Sequence, residues 1–299
     1  MTLMKSNDEL TLTQAVERFT HVTQNISEDD LARSWAWRDY DAEGVRFAFF
    51  RTYEELRELA QTILQERQAT GRAPTLAQRM LATYHAAFCD MQAALIGLSH
   101  DDIERLPAPN EWSAHLIVAH ITSADIGFYV AVRHSLDHWR SGDRTAAPLS
   151  PDVWESLIGL DEQSFTNIIS GPWPDLRSYQ QLFHQRVIGE FSSITDEELD
   201  LLSYYWESNP LSLRFRLGRF DSHLRQHTIQ IDKALAALNL GPGEARRLLR
   251  LIHGALAEVE GAGYGAADIE AKLAHPFAVA IADRAAQLAD ILSLHPAST

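Results

Sequence analysis

Apolar residues recur at intervals of three and four along most of this chain, and no segment of useful length alternates between apolar and polar residues. The first pattern is typical of amphipathic α-helices, whereas alternation is expected of strands that are buried on one face. The clearest helical stretches run from about 75 to 98, from Ser113 onward, from 175 to 192 and from 211 to 238. The periodicity therefore predicts an all-α protein with a four-helix core.

Glycine- and proline-rich stretches divide the chain into three parts. GRAP ends a helical N-terminal segment, and LGPG precedes two amphipathic segments that are joined by GAGYGA. We therefore expect an N-terminal helical extension over residues 1–74, an up-down four-helix bundle over 75–240, and a C-terminal helical hairpin over 241–299 that packs on the bundle. Within the extension, Thr52 with Glu55 three residues later predicts a capping box at the start of a helix.

The charge and the cysteine content exclude several classes of partner and site. Forty-one acidic residues against 26 basic ones give a formal net charge of −15, which would repel nucleic-acid phosphates and anionic lipid. Neither nucleic acid nor a membrane is therefore expected as a partner. Because Cys89 is the single cysteine, the chain cannot form an internal disulfide or a cysteine-rich zinc site. With no apolar run close to the roughly 18 residues of a membrane span, we expect a soluble, cytoplasmic protein.

Three of the 13 histidines lie on apolar helix faces at positions that suit metal coordination. His223 and His227 are four residues apart, which stacks them one turn apart on one face of the last bundle helix. His120 lies on the apolar stripe of the second helix. A buried polar group without a partner costs roughly 1–3 kcal/mol, and a shared metal ion would satisfy all three imidazoles. The pattern is compatible with a three-histidine site that has open coordination positions, and also with ordinary core histidines.

Other motifs that carry chemistry are absent from the sequence or weak. It contains no HExxH, no GxSxG and no GxxxxGK[ST]. His134 and His138 are also four residues apart, but they lie among charged residues near the end of a helix, where we expect them on the surface. Cys89 is expected to pack as a small hydrophobic residue rather than to act as a nucleophile.

Two segments resemble those of a known family. PAPNEWSAHLIVAHI, in which His120 stands eight residues after the tryptophan, resembles the segment that opens the second helix of DinB-like proteins. HLRQHTIQI, with His223, His227 and Gln230, is similar to the His-x-x-x-His-x-x-Gln sequence on the last helix of that family's bundle. The two segments occur in the right order and about a hundred residues apart, and the resemblance covers residues 75–240.

The resemblance implies a four-helix bundle that holds a divalent ion, commonly zinc or nickel, on His120, His223 and His227. Family members with a known reaction resemble thiol-dependent transferases and isomerases, which use a small cytoplasmic thiol such as bacillithiol or mycothiol, and they are often dimeric. We therefore hypothesise a metal-dependent S-transferase that acts on a small molecule and forms a homodimer. The chain departs from the family at Leu116, where a glutamate is common, so Ser113 is expected to cap its helix without the reciprocal bond of a capping box.

Three further residues are candidates for orienting the histidines or facing the substrate. Asp125 and Tyr129 follow His120 on the same helix, and Gln230 is placed to orient His227 or to line the pocket. The sequence does not identify a catalytic residue. Two other functions stay open, namely a metal-dependent hydrolase that uses the same histidines and a non-catalytic stress protein that binds a metal or another ligand.

Overall fold

The computed structural model describes residues 10–143, 148–205, 207 and 209–293. In this part of the chain there are 12 α-helices, and two short strands, β1 (Leu202–Ser203) and β2 (Leu211–Ser212), pair antiparallel. In chain order the helices are α1 (Leu12–Thr23), α2 (Glu28–Leu31), α3 (Val45–Ala69), α4 (Leu76–Ala94), α5 (His100–Glu104), α6 (Ala114–Arg140), α7 (Pro151–Ile158), α8 (Glu162–Ile169), α9 (Trp173–Phe191), α10 (Leu213–Ala237), α11 (Glu244–Gly263) and α12 (Ala267–Ser293). The prediction of an all-α protein is confirmed.

The described residues fall into two compact units. Residues 74–241 form one unit, the central bundle, and the residues on either side of it in sequence form the other, the terminal unit. The sequence predicts two separate terminal additions, but in the terminal unit α11 packs along α3 and α1 packs along α12. Since α1 and α11 each have one strongly apolar face, each needs an apolar partner, and the helices from the other end of the chain provide it.

Four long helices form the core of the central bundle. α10 packs along both α4 and α6, and α9 contacts the same two helices. These four helices are the ones that the periodicity predicts, with ends that differ from the predicted ends by a few residues. Two short helices, α7 and α8, lie between α6 and α9 in the chain.

α6 is long and apolar enough to cross a membrane, by length and composition alone. An 18-residue window of this helix has a mean hydropathy of 1.4, and 78% of that window is buried inside the protein. The expectation that no apolar run approaches the length of a membrane span is therefore wrong for this segment. Its burial is that of a core helix, because a helix surrounded by other helices is apolar on most of its circumference.

Local signals explain where several helices begin, and one such signal misleads. The Ser113 hydroxyl accepts a hydrogen bond from the amide of Leu116, without the reciprocal bond of a capping box, as predicted. The capping box predicted for Thr52 and Glu55 is wrong, because α3 begins at the buried Val45 and both residues lie inside the helix. There the Thr52 hydroxyl donates to the carbonyl oxygen four residues earlier.

Gly127 of α6 lies where Tyr205 approaches the helix closely. A Cβ atom at Gly127 would lie 1.9 Å from the hydroxyl oxygen of Tyr205 and 2.4 Å from its Cζ. We expect Gly127→Ala to lower the free energy of unfolding by roughly 1–3 kcal/mol, because an added methyl group in a packed contact forces its neighbours to shift. Denaturant unfolding followed by circular dichroism measures this loss, which should shrink in a Tyr205→Ala background.

Gly189→Ala is the matched control for this prediction. Gly189 also lies inside a helix, α9, but a Cβ atom there would meet no atom within 4 Å. Alanine is favoured over glycine inside a helix by about 1 kcal/mol, so this variant should be at least as stable as the wild type. Equal destabilisation of the two variants would show that the contact with Tyr205 is not the cause.

Candidate metal centre

His120 of α6 and His223 and His227 of α10 lie together in the central bundle. Their ring centroids are 5.1 Å apart for His120 and His223, 4.6 Å for His120 and His227, and 4.4 Å for His223 and His227. Each ring offers one nitrogen such that all three nitrogens lie within 4.8 Å of one another. The structure therefore brings together the three histidines that the sequence singles out, and this group could hold a metal ion.

Aromatic contacts between α6 and α10 position these rings. Phe128 lies two turns after His120 on α6, and its ring centroid is 5.5 Å from that of Phe220 and 5.7 Å from that of His223. Trp112, just before α6, has its ring centroid 5.2 Å from that of His120. Since Phe128 is about 80° from His120 around the axis of α6, its contacts with α10 hold the side of α6 that carries His120 against that helix.

Burial favours the neutral form of two of the three imidazoles. It lowers the pKa of His223 from 6.5 to about 3, with smaller contributions from the neighbouring His227 and His120. Burial, followed by the proximity of His227, also lowers the pKa of His120. A neutral imidazole is the form that binds a metal ion. His120 and His223 are therefore in the form that can act as ligands at neutral pH.

The hydrogen bonds of the rings also fit a metal site. Nδ1 of His227 donates to Oε1 of Gln230 over 2.8 Å, which leaves the lone pair of Nε2 available to a metal ion. Nδ1 of His223 is buried and has no hydrogen-bond partner among the described residues. A buried polar atom without a partner costs free energy, and coordination by this nitrogen would remove that cost. Imidazole donors suit both zinc and nickel.

Asp125 and Tyr129 lie on other sides of α6. At 3.6 residues per turn they are rotated about 140° and 180° from His120 around the helix axis. Asp125 accepts a hydrogen bond from the Tyr84 hydroxyl over 2.8 Å, and burial raises its pKa from 3.8 to about 8. The Tyr129 hydroxyl donates to Oε2 of Glu190 over 2.7 Å, and burial raises the pKa of Tyr129. Within the described part of the chain, neither side chain has a hydrogen bond or ring contact with the three histidines.

A groove of about 470 Å³ opens beside the three histidines. Its walls are the segment before α6 and the C-terminal half of α10, and its lining residues are Pro107, Asn110, Glu111, Trp112, Gln230, Lys233, Ala234 and Ala237. Two of them also contact the metal centre, since Trp112 packs against His120 and Gln230 is hydrogen-bonded to His227. The volume is within the range of small-molecule sites.

The charged residues of this groove were not found from the sequence. No spacing rule singles out Glu111 or Lys233 in the sequence. The only sequence signal for them is that both lie close to residues that carry the family resemblance. Glu111 directly precedes Trp112, and Lys233 follows Gln230 by three residues. Gln230, in contrast, occupies both places suggested for it, beside His227 and in the groove wall.

A second group of polar residues, between α4 and α9, was also missed; His184 is buried, and His85 and Cys89 are half-buried. Nδ1 of His85 lies 2.9 Å from Nε2 of His184, and the Cys89 sulfur lies 3.6 Å from Nε2 of His85. The His184 ring stacks on Phe88 with centroids 3.9 Å apart, and burial holds the pKa of His184 well below its usual value. Because His85 and His184 come from distant helices, spacing along the chain could not pair them.

A comparison with protein-family models extends the resemblance found in the two histidine segments. The model of the DinB superfamily matches residues 83–231, about half of the chain. The matched range begins inside α4, ends inside α10 and contains all three histidines. Comparisons with curated proteins and with solved structures gave no match.

Proposed function

The chain belongs to the DinB superfamily, and on that premise we propose that His120, His223 and His227 bind a divalent metal ion, zinc or nickel, in a thiol-dependent transferase. One observation carries the metal site: the three imidazoles converge from two helices with their ligand nitrogens within 4.8 Å of one another. Three protein ligands leave positions open on the ion, as catalytic sites require.

The bound ion would supply Lewis acidity, which lowers the pKa of a coordinated thiol or water and polarises an electrophile. The residues of this chain hold the ligands and admit the substrate. Gln230 fixes the orientation of the His227 ring through its hydrogen bond, and Trp112 packs against His120. The groove has room for a small molecule that reaches these two histidines from the side of Trp112 and Gln230.

The use of a thiol is supported by the resemblance to family members that employ bacillithiol or mycothiol. The same resemblance supports a cytoplasmic homodimer as the form in which the activity is exerted. The site could hold either zinc or nickel, because imidazole nitrogen is a common ligand of both ions.

Replacement of a ligand tests the metal site directly. We expect wild-type protein to contain about one zinc or nickel ion per chain and His223→Ala to contain almost none, because two imidazoles provide one ligand fewer than catalytic sites of this kind use. The measurement is metal content by mass spectrometry after reconstitution, on protein purified without a histidine tag. Circular dichroism should show that the variant keeps its helices.

His138→Ala is the matched control for the loss of metal. His134 and His138 repeat the spacing of four on α6, but Nδ1 of His138 lies 3.1 Å from Oδ2 of Asp143 rather than beside the three histidines. The expectation that both lie on the surface is wrong for His134, which is 7% exposed because it faces the interior of the bundle. The control should therefore retain the wild-type metal content. Full metal occupancy in His223→Ala would overturn the site. Consumption of an electrophile by the metal-loaded wild type without any added thiol would instead favour a hydrolase.

A further inference from the structure

We infer that the groove beside the three histidines selects a zwitterionic small molecule, one that carries both a carboxylate and an ammonium group. Glu111 and Lys233 are the residues that would recognise these two groups. The inference rests on the proposed metal site, because the inner end of the groove is formed by residues that contact His120 and His227. It adds to that proposal the chemical class of the substrate.

The two charges of the groove are opposite and are not paired with any residue that the structure describes. Glu111 belongs to the wall before α6 and Lys233 to the wall formed by α10. Among the described residues, neither side chain makes a hydrogen bond or an ion pair, with the other or with any third residue. A carboxylate and an ammonium group that face one groove and lack partners offer complementary contacts to a ligand with both charges.

The wall before α6 is a tight turn that presents Glu111 and Trp112 together. Asn110 has a φ of 67°, in the left-handed region, and the amide of Glu111 donates to the carbonyl oxygen of Ala108 over 3.1 Å. Asparagine adopts this φ more readily than other residues with a side chain, which suits it to a tight turn. Trp112 is 41% exposed although it packs on His120, so part of its indole is open to a ligand.

The wall formed by α10 determines the direction of the groove and the length of the ligand that fits it. Gln230, Ala234 and Ala237 follow one face of α10 at intervals of four and three, so the groove runs along the helix away from His227. Gln230 and Ala234 are separated by about 6 Å along the helix axis, and Lys233 lies beside Ala234. The two alanines leave this wall open where longer side chains would fill it. A ligand whose reactive group lies a few bonds from its charges, as in an amino acid, matches this length.

Binding of three matched thiols to the full-length protein loaded with cobalt(II) tests the inference. L-Cysteine carries both charges, cysteamine only the ammonium group, and 3-mercaptopropionate only the carboxylate. Dissociation constants are measured from the cobalt–thiolate absorption and by calorimetry. We expect L-cysteine to bind roughly tenfold or more tightly than either of the other two thiols, since each charged contact adds to the affinity.

Two groove variants assign the charges separately. Lys233→Gln should abolish the preference of the protein for L-cysteine over cysteamine, and Glu111→Gln should abolish its preference over 3-mercaptopropionate. Lys272→Gln and Glu162→Gln make the same changes of charge at exposed positions that do not line the groove. These two controls should keep the selectivity of the wild type.

The outcomes separate the two proposals. A protein that takes up no cobalt overturns the metal site and, with it, the inference that depends on it. Uptake of cobalt with equal affinity for the three thiols overturns the assignment of the groove alone and leaves the metal site in place. Wild-type selectivity that persists in both groove variants also overturns the roles of Glu111 and Lys233.

Discussion

Asp125→Asn is expected to be more stable than the wild type at neutral and alkaline pH, and the difference should grow between about pH 4 and pH 8. Asp125 is only 3% exposed, and burial raises the pKa of its carboxyl from 3.8 to about 8. In this window the folded protein keeps a proton that the unfolded chain has released. Its stability therefore falls as the pH rises, by at most about 1.4 kcal/mol per pH unit, and asparagine removes this loss.

Among the residues that the structure describes, no positive charge offsets the cost of ionising Asp125. From α4, the Tyr84 hydroxyl donates to Oδ2 over 2.8 Å, which lowers the pKa by less than burial raises it. From α9, the ring of His184 packs on Tyr84 with centroids 4.6 Å apart, and burial keeps the pKa of His184 low. Oδ1 is buried and has no partner among the described residues. Asparagine keeps the oxygen that accepts the hydrogen bond from Tyr84 and cannot ionise.

Denaturant unfolding of both proteins at a series of pH values between 4 and 9 measures this difference. Contributions from all other titrating groups are shared by the two proteins and cancel in the comparison. Asp175→Asn on α9 is the control, since Asp175 is exposed and its carboxyl stays in solvent. A constant difference between Asp125→Asn and the wild type over the whole range would contradict the raised pKa.

The grouping of His120, His223 and His227 could be predicted because most of its geometry is local to helices. The spacing of four brings two of the rings together within α10, and the apolar stripes of α6 and α10 show which faces point inward. Only one long-range fact is needed, the packing of α6 against α10. The resemblance to a known bundle supplies that fact, and the periodicity alone does not.

Asp125 and Tyr129 show how the same rule can be applied too loosely. Asp125 lies about 1.4 turns and Tyr129 about 2.5 turns beyond His120 along the helix. The angle around the helix axis, and not the distance along it, determines which face a residue shares. His115, five residues before His120, is about 140° from it around the axis, and its Nδ1 lies beside Oε1 of Glu104. Asp125 is rotated by a similar angle and Tyr129 by about 180°, and the structure turns these two toward Tyr84 and Glu190.

The terminal unit could not be predicted from the sequence, because the apolar face of a helix does not specify which other helix will pack against it. α1 and α12 are separated by more than 240 residues, and any apolar face in the chain could have covered either helix. The wrong prediction of a capping box has the same cause, a contact between distant parts of the chain. Thr52 and Glu55 fit a helix start, but in α3 they contact Arg284 of α12, a residue that no local pattern connects to them.

Glu55→Leu is expected to destabilise the terminal unit by about 3–5 kcal/mol, because it leaves a buried guanidinium without its counter-charge. Arg284 is 5% exposed and donates from Nη1 to the Thr52 hydroxyl over 2.7 Å and from Nη2 to Oε2 of Glu55 over 2.8 Å. Burial lowers the pKa of Arg284, and the carboxylate of Glu55 opposes that shift. Denaturant unfolding measures the loss, and hydrogen exchange of the amides in α3 and α12 assigns it to this unit.

A second substitution separates the unpaired charge from other causes of instability. Arg284→Met in the Glu55→Leu background should recover most of the lost stability, since a buried ion pair replaced by apolar residues of similar size is often neutral or stabilising. Glu54→Leu is the control, because the Glu54 side chain is 51% exposed and its pair with Arg51 contributes at most about 1 kcal/mol. A double variant as unstable as Glu55→Leu alone would show that shape, and not charge, is decisive here. Recovery would instead show that apolar packing can hold α3 and α12, which come from opposite ends of the chain, together without the buried ion pair.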